Sequence, residues 1–228
     1  MEIAQTADHA LRILISLSEY GPQTVGELSD RLGLGRTVTR RLVATLQQRA
    51  FVSVDAGRVA VGPSALAIAA RALPNVYREA QPLIEALARE IEETVVVSVL
   101  EGHDSLVMAS ATAGTHPLRV EYPLGFRHPA GTGAAGRAIL VGLPEDRALN
   151  LLGPDPDGSS RRRFLEERRQ GHVASHDELR IGASGIAIPL RIAQREGSLS
   201  IVAPTNRGDG LARHLDRLHF TAQRLSTL

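Results

Sequence analysis

Thr24-Val-Gly-Glu-Leu-Ser-Asp-Arg-Leu-Gly-Leu-Gly-Arg-Thr-Val-Thr-Arg-Arg-Leu-Val-Ala-Thr-Leu46 is the stretch whose reading decides the fold of the first part of this chain. Its opening, Thr24-Val-Gly-Glu27, has the spacing of a capping box, in which a Thr hydroxyl and a Glu carboxylate satisfy the exposed amides of a new helix. A helix therefore begins at Thr24 with Val25, Leu28 and Leu32 on one face, and Gly33 ends it by accepting the left-handed conformation. After the Gly33-Leu-Gly35 turn, a further helix is predicted from Arg36 to about Arg49, with Val38, Leu42 and Leu46 turned inward. Two helices joined by a short glycine-containing turn form a helix-turn-helix.

Outward from this core, Ala10, Leu11, Leu14, Ile15 and Leu17 predict an amphipathic helix over about residues 3–19, closed by Gly21-Pro22. Downstream, Phe51-Val-Ser-Val54 and Arg58-Val-Ala-Val61 alternate apolar and polar around Asp55-Ala-Gly57, the pattern of a tight hairpin. A hairpin directly after the second of the paired helices is a wing. Gly62-Pro63 then interrupts the chain, and residues 64–71 read as a linker helix ending near Pro74. The expected organisation is a winged helix-turn-helix over 1–62, a linker over 63–76 and a larger domain over 77–228.

At about 100° per residue, the helix from Arg36 turns Arg36, Thr37, Arg40, Ala44 and Gln47 away from its core face, with Arg41 on the flank. No acidic residue falls between Asp30 and Asp55, while Arg31, Arg36, Arg40, Arg41 and Arg49 all do. Arginine can bridge guanine acceptors or hold a phosphate, and threonine can donate to either or touch a thymine methyl. Arg58, beside the wing turn, suits a phosphate or the minor groove. Arg36, Thr37, Arg40, Arg41 and Arg58 are the candidate contacts to double-stranded operator DNA; the competing reading is a merely solvated helix face.

The remainder reads as an α+β domain with an antiparallel arrangement of strands. A helix is expected over 78–93 with Leu83, Leu87 and Ile91 on one face, then a hairpin of 95–100 and 105–110 about Glu101-Gly-His-Asp104. A strand near 118–122, a helix opened by the glycine-rich loop 131–136 and running through about Gly142, helices from Pro144 and over 160–170, strands at 185–190 and 198–203, and a helix from about Gly210 complete it.

Composition excludes several chemistries. The 228 residues are 43% hydrophobic without an apolar run long enough to span a bilayer, so no membrane partner is expected. No secretory leader is evident at Met1-Glu2-Ile3, which makes a cytoplasmic location the expectation. The absence of cysteine removes disulfides, thiolate metal sites and a cysteine nucleophile. The net charge of +1 says nothing about nucleic acid, because the basic residues, all arginine, nearly balance the acidic ones.

Gly131-Thr-Gly-Ala-Ala-Gly136 matches the dinucleotide fingerprint but lacks its context, following His128-Pro129 instead of a buried strand, with no repeated βαβ pattern. Its remaining readings are a tight turn, or a loop whose following helix offers amides to a polar ligand. His172 and His176, beside Asp177, have a metal-ligand spacing without a third ligand. Arg161-Arg-Arg163 ahead of Glu166-Glu167 suggests a solvated helix face with intrahelical ion pairs. No cofactor, metal site or catalytic residue is expected.

The chain resembles the isocitrate lyase regulator (IclR) family of transcription regulators. Ala10-Leu-Arg-Ile-Leu14, residues 24–35, Arg40-Arg-Leu-Val-Ala-Thr-Leu46 with Phe51-Val52, and several C-terminal segments carry the resemblance. It implies a dimer or dimer of dimers on a palindromic operator, and a GAF-like effector domain that senses small organic acids or aromatic compounds. The implied effector site comprises the loop Gly131, Thr132, Gly133, Ala134, Ala135 and Gly136, with His176, Asp177, Gly185, Ser200 and Val202. Arg137 stands where the family often has Lys. Ser175, His176, Asp177 and Glu178 stand where two acids followed by Glu are common, Gly185 where Cys is common, and Val202 where a second serine is frequent. The Gly185 and Val202 departures imply a roomier, partly hydrophobic pocket. The leading expectation is an effector-responsive DNA-binding regulator; the alternatives are a small-molecule enzyme with an accessory helical domain, and a winged-helix protein-interaction module.

Overall fold

The computed structural model describes residues 3–72, 75–114, 116–155 and 157–228. The chain forms two compact units, 1–73 and 74–228. The first contains α1 (Gln5–Tyr20), β1 (Gln23–Thr24), α2 (Val25–Leu32), α3 (Arg36–Gln48), β2 (Val52–Asp55), β3 (Arg58–Val61) and α4 (Pro63–Ala72). The capping box is present: the Glu27 amide donates to Thr24 Oγ1 at 3.2 Å, and the Thr24 amide donates to Glu27 Oε2 at 2.6 Å. Gly33 ends α2 at φ 68°, ψ 30°. Ala56 and Gly57 take φ values of 47° and 77°, the paired left-handed conformations of a two-residue hairpin turn.

Two expected helix faces are rotated in the structure. In α1 the buried apolar residues are Ile13 and Leu17, flanked by partly buried Ala10 and Leu14, whereas Leu11 and Ile15 are exposed. In α3, Thr39, Leu42, Val43 and Leu46 are buried and Val38 is 45% exposed. Each real stripe follows i, i+3, i+4, i+7, which stays under one neighbour, while repeated i+4 steps drift around the helix. Thr39 is drawn inward by polar contacts, its hydroxyl meeting Ser29 Oγ at 3.0 Å and donating to the Gly35 carbonyl.

Strand β1 was not expected. Two residues carry no periodic signal, yet Gln23 and Thr24 pair with Val59 and Arg58, making a three-stranded sheet of order β1-β3-β2. The helix expected over 64–71 is α4, whose start is tied down by Ser64 donating to the carbonyls of Ala50 and Arg49. The expected end near Pro74 lies outside the described residues.

The second unit contains α5 (Asn75–Ile91), β4 (Thr94–Glu101), β5 (Asp104–Ala111), β6 (Arg127–Pro129), α6 (Gly133–Gly142), α7 (Glu145–Leu152), α8 (Ser159–Gln170), β7 (Val173–His176), β8 (Ala183–Ile192), β9 (Arg195–Pro204), a 3-10 segment (Thr205–His214) and α9 (Leu215–Leu225). Its six strands form an antiparallel sheet of order β6-β5-β4-β9-β8-β7. Alternation assigns the two faces. Val95, Val97, Val99, Ile186, Ile188, Leu199 and Ile201 pack with Ile84, Leu87 and Ala88 of α5 and with Leu218 and Leu225 of α9. Ala187 and Val173 pack oppositely, with Ala138 and Leu140 of α6 and Phe164 of α8.

Residues 118–122 are not a strand. Val120 and Tyr122 are buried from a loop instead, beside Val107 and Val202. Strands β6 and β7 had no counterpart in the sequence reading; both are sheet edges of three or four residues, too short to show alternation. Among the described residues, no helix is long and apolar enough to cross a membrane.

Candidate functional site

The first unit presents the exposed face of α3. Arg36, Thr37, Arg40, Arg41, Ala44 and Gln47 are all solvent-exposed. Two nearby arginines are occupied: Arg12 donates to the Leu32 carbonyl at 3.1 Å, while Arg31 donates to Gln23 Oε1 at 3.1 Å and stacks 3.8 Å over Tyr20. The guanidinium groups of Arg36, Arg40 and Arg41 have no hydrogen-bond or ion-pair partner among the described residues. Arg58 differs from that trio. It donates to the Pro22 carbonyl and lies 3.8 Å from Glu27 Oε2, bracing the wing against the start of α2.

The second unit contains a partly open cavity of about 470 Å³, a figure that includes the solvent-open space at its mouth. Its floor is the α6 side of the sheet. Register places Thr94, Val202, Gly185 and Ser175 in one row across four strands, with Val96 and Ser200 paired in the next. A bulge opposite Val97/Ser98 leaves Met108 as the extra residue in β5 and sets Val107 opposite Ser98. Val107 also exchanges backbone hydrogen bonds with Gly125 and Phe126, which brings Phe126 and Tyr122 to the wall with their rings stacked at 4.9 Å.

Of the expected effector residues, Gly133, Ala134, Ala135, Gly185, Ser200 and Val202 line this cavity. Gly131, Thr132, Gly136, His176 and Asp177 are not among the lining residues. Gly133 has φ +71°, and a Cβ on Gly136 would stand 2.7 Å from the Ala130 carbonyl oxygen. These two glycines let the loop turn and let α6 begin against β6. A Cβ at Gly185 would meet Ala134 Cβ at 3.4 Å, so glycine leaves open the space a larger side chain would take. His176 Nδ1 bonds Ser184 Oγ at 2.9 Å, and Asp177 Oδ1 accepts from Thr205 Oγ1 and the Gly182 amide, which hold its carboxyl below its ordinary value.

His172 directly precedes β7 and His176 ends it, so strand and not helix joins them, and four residues of strand separate Cα atoms by about 13 Å. Among the described residues, no three His, Asp or Glu side chains gather to hold a metal ion. Arg161 and Arg163 pair with Glu145 and Glu178 from other elements, not with the expected Glu166-Glu167 on their own helix.

Sequence reasoning passed over Ser98, Tyr122, Phe126 and His128, which are cavity residues, and the buried polar cluster behind it. Arg137 is 3% exposed; its Nε donates to Glu167 Oε1 at 2.9 Å, its Nη1 to Glu178, and its Nη2 to the Ala174 carbonyl at 2.7 Å. Glu178 also accepts from the Gly133 amide at 3.1 Å, and Ser175 Oγ accepts from the Ala134 amide at 3.0 Å. The first two amides of α6, those of Gly133 and Ala134, are thus filled from within the chain. His128 Nδ1 donates to the Pro129 carbonyl, and burial lowers its pKa, so the ring is neutral at pH 7.

Comparisons with known proteins agree with this architecture. The IclR helix-turn-helix domain model matches residues 6–56, and the model of the bacterial transcriptional regulator IclR C-terminal domain matches residues 70–227. The HTH-type transcriptional regulator TtgV of Pseudomonas putida is 28% identical over 195 residues, covering 81% of this chain and 75% of that protein. The crystal structure of an IclR transcriptional regulator from Alicyclobacillus acidocaldarius aligns with a TM-score of 0.81 at 26% identity, covering 99% of both chains. An IclR homolog from Microbacterium hydrocarbonoxydans, complexed with 4-hydroxybenzoate, shares the fold with a TM-score of 0.75 at 21% identity, covering 97% of this chain and 98% of its own. With a helix-turn-helix unit matched over residues 6–56 and an α+β domain matched over residues 70–227, the chain belongs to the IclR family of bacterial transcriptional regulators.

Proposed function

We propose that the regulator reads its operator through Arg36, Thr37, Arg40 and Arg41 of α3, and that a small organic compound in the cavity of the second unit modulates that binding. The observation that carries the reading is the exposed trio Arg36, Arg40 and Arg41, without a partner among the described residues, while nearby Arg12 and Arg31 are engaged. Arg58 contributes as the brace of the wing, and its half-exposed side chain adds positive charge beside the phosphates. Loop residues 131–136 serve the cavity in two ways: Gly133, Ala134 and Ala135 line it, while Gly133 and Gly136 let the chain turn into α6. His176 and Asp177 hold the segment behind Ser184 and Gly182.

The effector reading draws support from the cavity and from the relative that binds 4-hydroxybenzoate. Ligand can change operator affinity only by binding the DNA-competent and incompetent arrangements unequally. Recognition of a palindrome requires two copies of α3, so the reading includes a dimer or dimer of dimers, which sedimentation would size. The test is fluorescence anisotropy with the promoter fragment upstream of the protein's own gene, over a salt series. Specific binding should weaken steeply with salt, and Arg36→Ala with Arg40→Ala should reduce the log–log salt slope by about 2. Salt-insensitive binding, or an unchanged slope in the double variant, would overturn the assignment.

A further inference from the structure

Resting on the effector reading above, we infer that the cavity selects an uncharged aromatic compound bearing a hydroxyl, and discriminates against carboxylates. Charge gives the first argument. None of the sixteen lining residues is acidic or basic except His128, and burial keeps that ring neutral. A carboxylate entering such a space would surrender its hydration without a counter-charge, which is strongly unfavourable.

Most of the donors that could compensate are already committed. Helix N-termini attract anions through their free amides, but at α6 the Gly133 amide donates to the Glu178 carboxylate and the Ala134 amide donates to Ser175. A ligand carboxylate there would have to displace Glu178 or lie beside its negative charge. Arg137, the buried cation behind the loop, spends its donors on Glu167, Glu178 and Ala174. Arg180 is exposed and stacks 5.6 Å over the Tyr122 ring, where its charge is solvated and screened.

Ser98 gives the second argument. Its side chain is fully buried, it lines the cavity, and its Oγ has no hydrogen-bond partner among the described residues. Buried hydroxyls are nearly always paired, so one left open at a cavity wall is a site for a ligand's polar atom. The other serines are taken: Ser200 donates to the Val96 carbonyl, Ser184 meets His176 and Thr205, and Ser175 caps Ala134. Around Ser98 the walls are Val96, Val107, Val202 and the stacked Tyr122 and Phe126, which suit a flat apolar ring.

Calorimetric titration of the full chain at pH 7 with two matched pairs separates the claims. Benzamide and benzoate have nearly the same shape and differ in charge, while phenol and toluene differ in one hydroxyl. Benzamide is expected to bind at least tenfold more tightly than benzoate, and phenol about three- to tenfold more tightly than toluene, the worth of one net hydrogen bond. Ser98→Ala should bring phenol and toluene within about twofold of each other while leaving the thermal midpoint and operator binding in place. Benzoate binding as tightly as benzamide would overturn the inference and leave the effector reading standing; if Arg180→Ala then weakened benzoate alone, the cation at the rim would be identified as its partner. Failure of all four probes to bind a folded, operator-competent protein would count against both readings. A phenol preference surviving in Ser98→Ala would overturn the role of Ser98.

Discussion

The guanidinium of Arg137 donates to the Glu167 carboxylate at 2.9 Å, with both side chains almost wholly removed from solvent. This pair joins α6 to α8, and Glu178 extends it to the start of α6. Burial pushes the Glu167 carboxyl up from its ordinary value against the opposing pull of Arg137. Removing the arginine strands the carboxylates, so Arg137→Ala should cost about 3–5 kcal/mol at pH 7. The deficit should shrink as the pH is lowered towards about 4.5, because Glu167 can then take up a proton and lose its need for a partner. Urea unfolding of wild type and variant at both pH values checks this; an equal deficit at both would refute the coupling.

Three glycines of one loop should respond differently to alanine. At Gly136 a methyl group meets the Ala130 carbonyl at 2.7 Å, and a loss of about 1–3 kcal/mol is expected. At Gly133 the positive φ alone should cost about 1–2 kcal/mol. At Gly131 the nearest atom is Leu152 Cδ2 at 3.5 Å, an ordinary contact, and stability should change little. Thermal melts of the three variants give the ranking, and a large loss at Gly131 would contradict it.

Thr24→Ala removes the hydroxyl that caps α2 and should destabilise the first unit by about 0.5–2 kcal/mol. Adding Glu27→Ala should cost less than the sum of the separate effects, because the two residues form one reciprocal motif. A double-mutant cycle monitored by hydrogen exchange of the α2 amides measures the coupling.

His128 makes acid a stress on the second unit. Its folded pKa is lowered, mainly by burial, so the unfolded chain takes up the proton first. The associated stability is therefore complete above the unfolded value near 6.5 and declines as pH falls below it. His214, also lowered by partial burial and by Arg213, adds a loss of the same sign. His128→Gln should remove its own share, so the stability advantage of wild type over the variant should shrink between about pH 7 and pH 5. A constant difference across that range would refute the buried, neutral ring.

The DNA-binding unit was almost wholly legible because its signals are local. Thr24 and Glu27 cap within one turn, Gly33 stops a helix by its own conformation, and Ala56-Gly57 turns a hairpin without help from distant residues. Six of the eleven expected effector residues line the cavity, Gly133, Ala134, Ala135, Gly185, Ser200 and Val202, though their gathering was implied by resemblance and not by spacing. Ser98 and His128 gave no signal, since an isolated serine in a valine-rich strand and a histidine before proline acquire meaning only from what closes over them.

The sequence by itself determined where helices begin and end, that a wing follows α3, and that arginines accumulate where no acid neutralises them locally. Only the tertiary structure decided which way each helix faces: Thr39 and Val43 go inward in place of Val38 because the neighbouring helix, not the repeat alone, sets the buried side. It also decided which charges are spent. Arg58 is held by Pro22 and Glu27, Arg137 is consumed by Glu167 and Glu178, and Arg36, Arg40 and Arg41 are left to the solvent. Residue type fixes a side chain's charge, but long-range packing fixes whether that charge already has a partner.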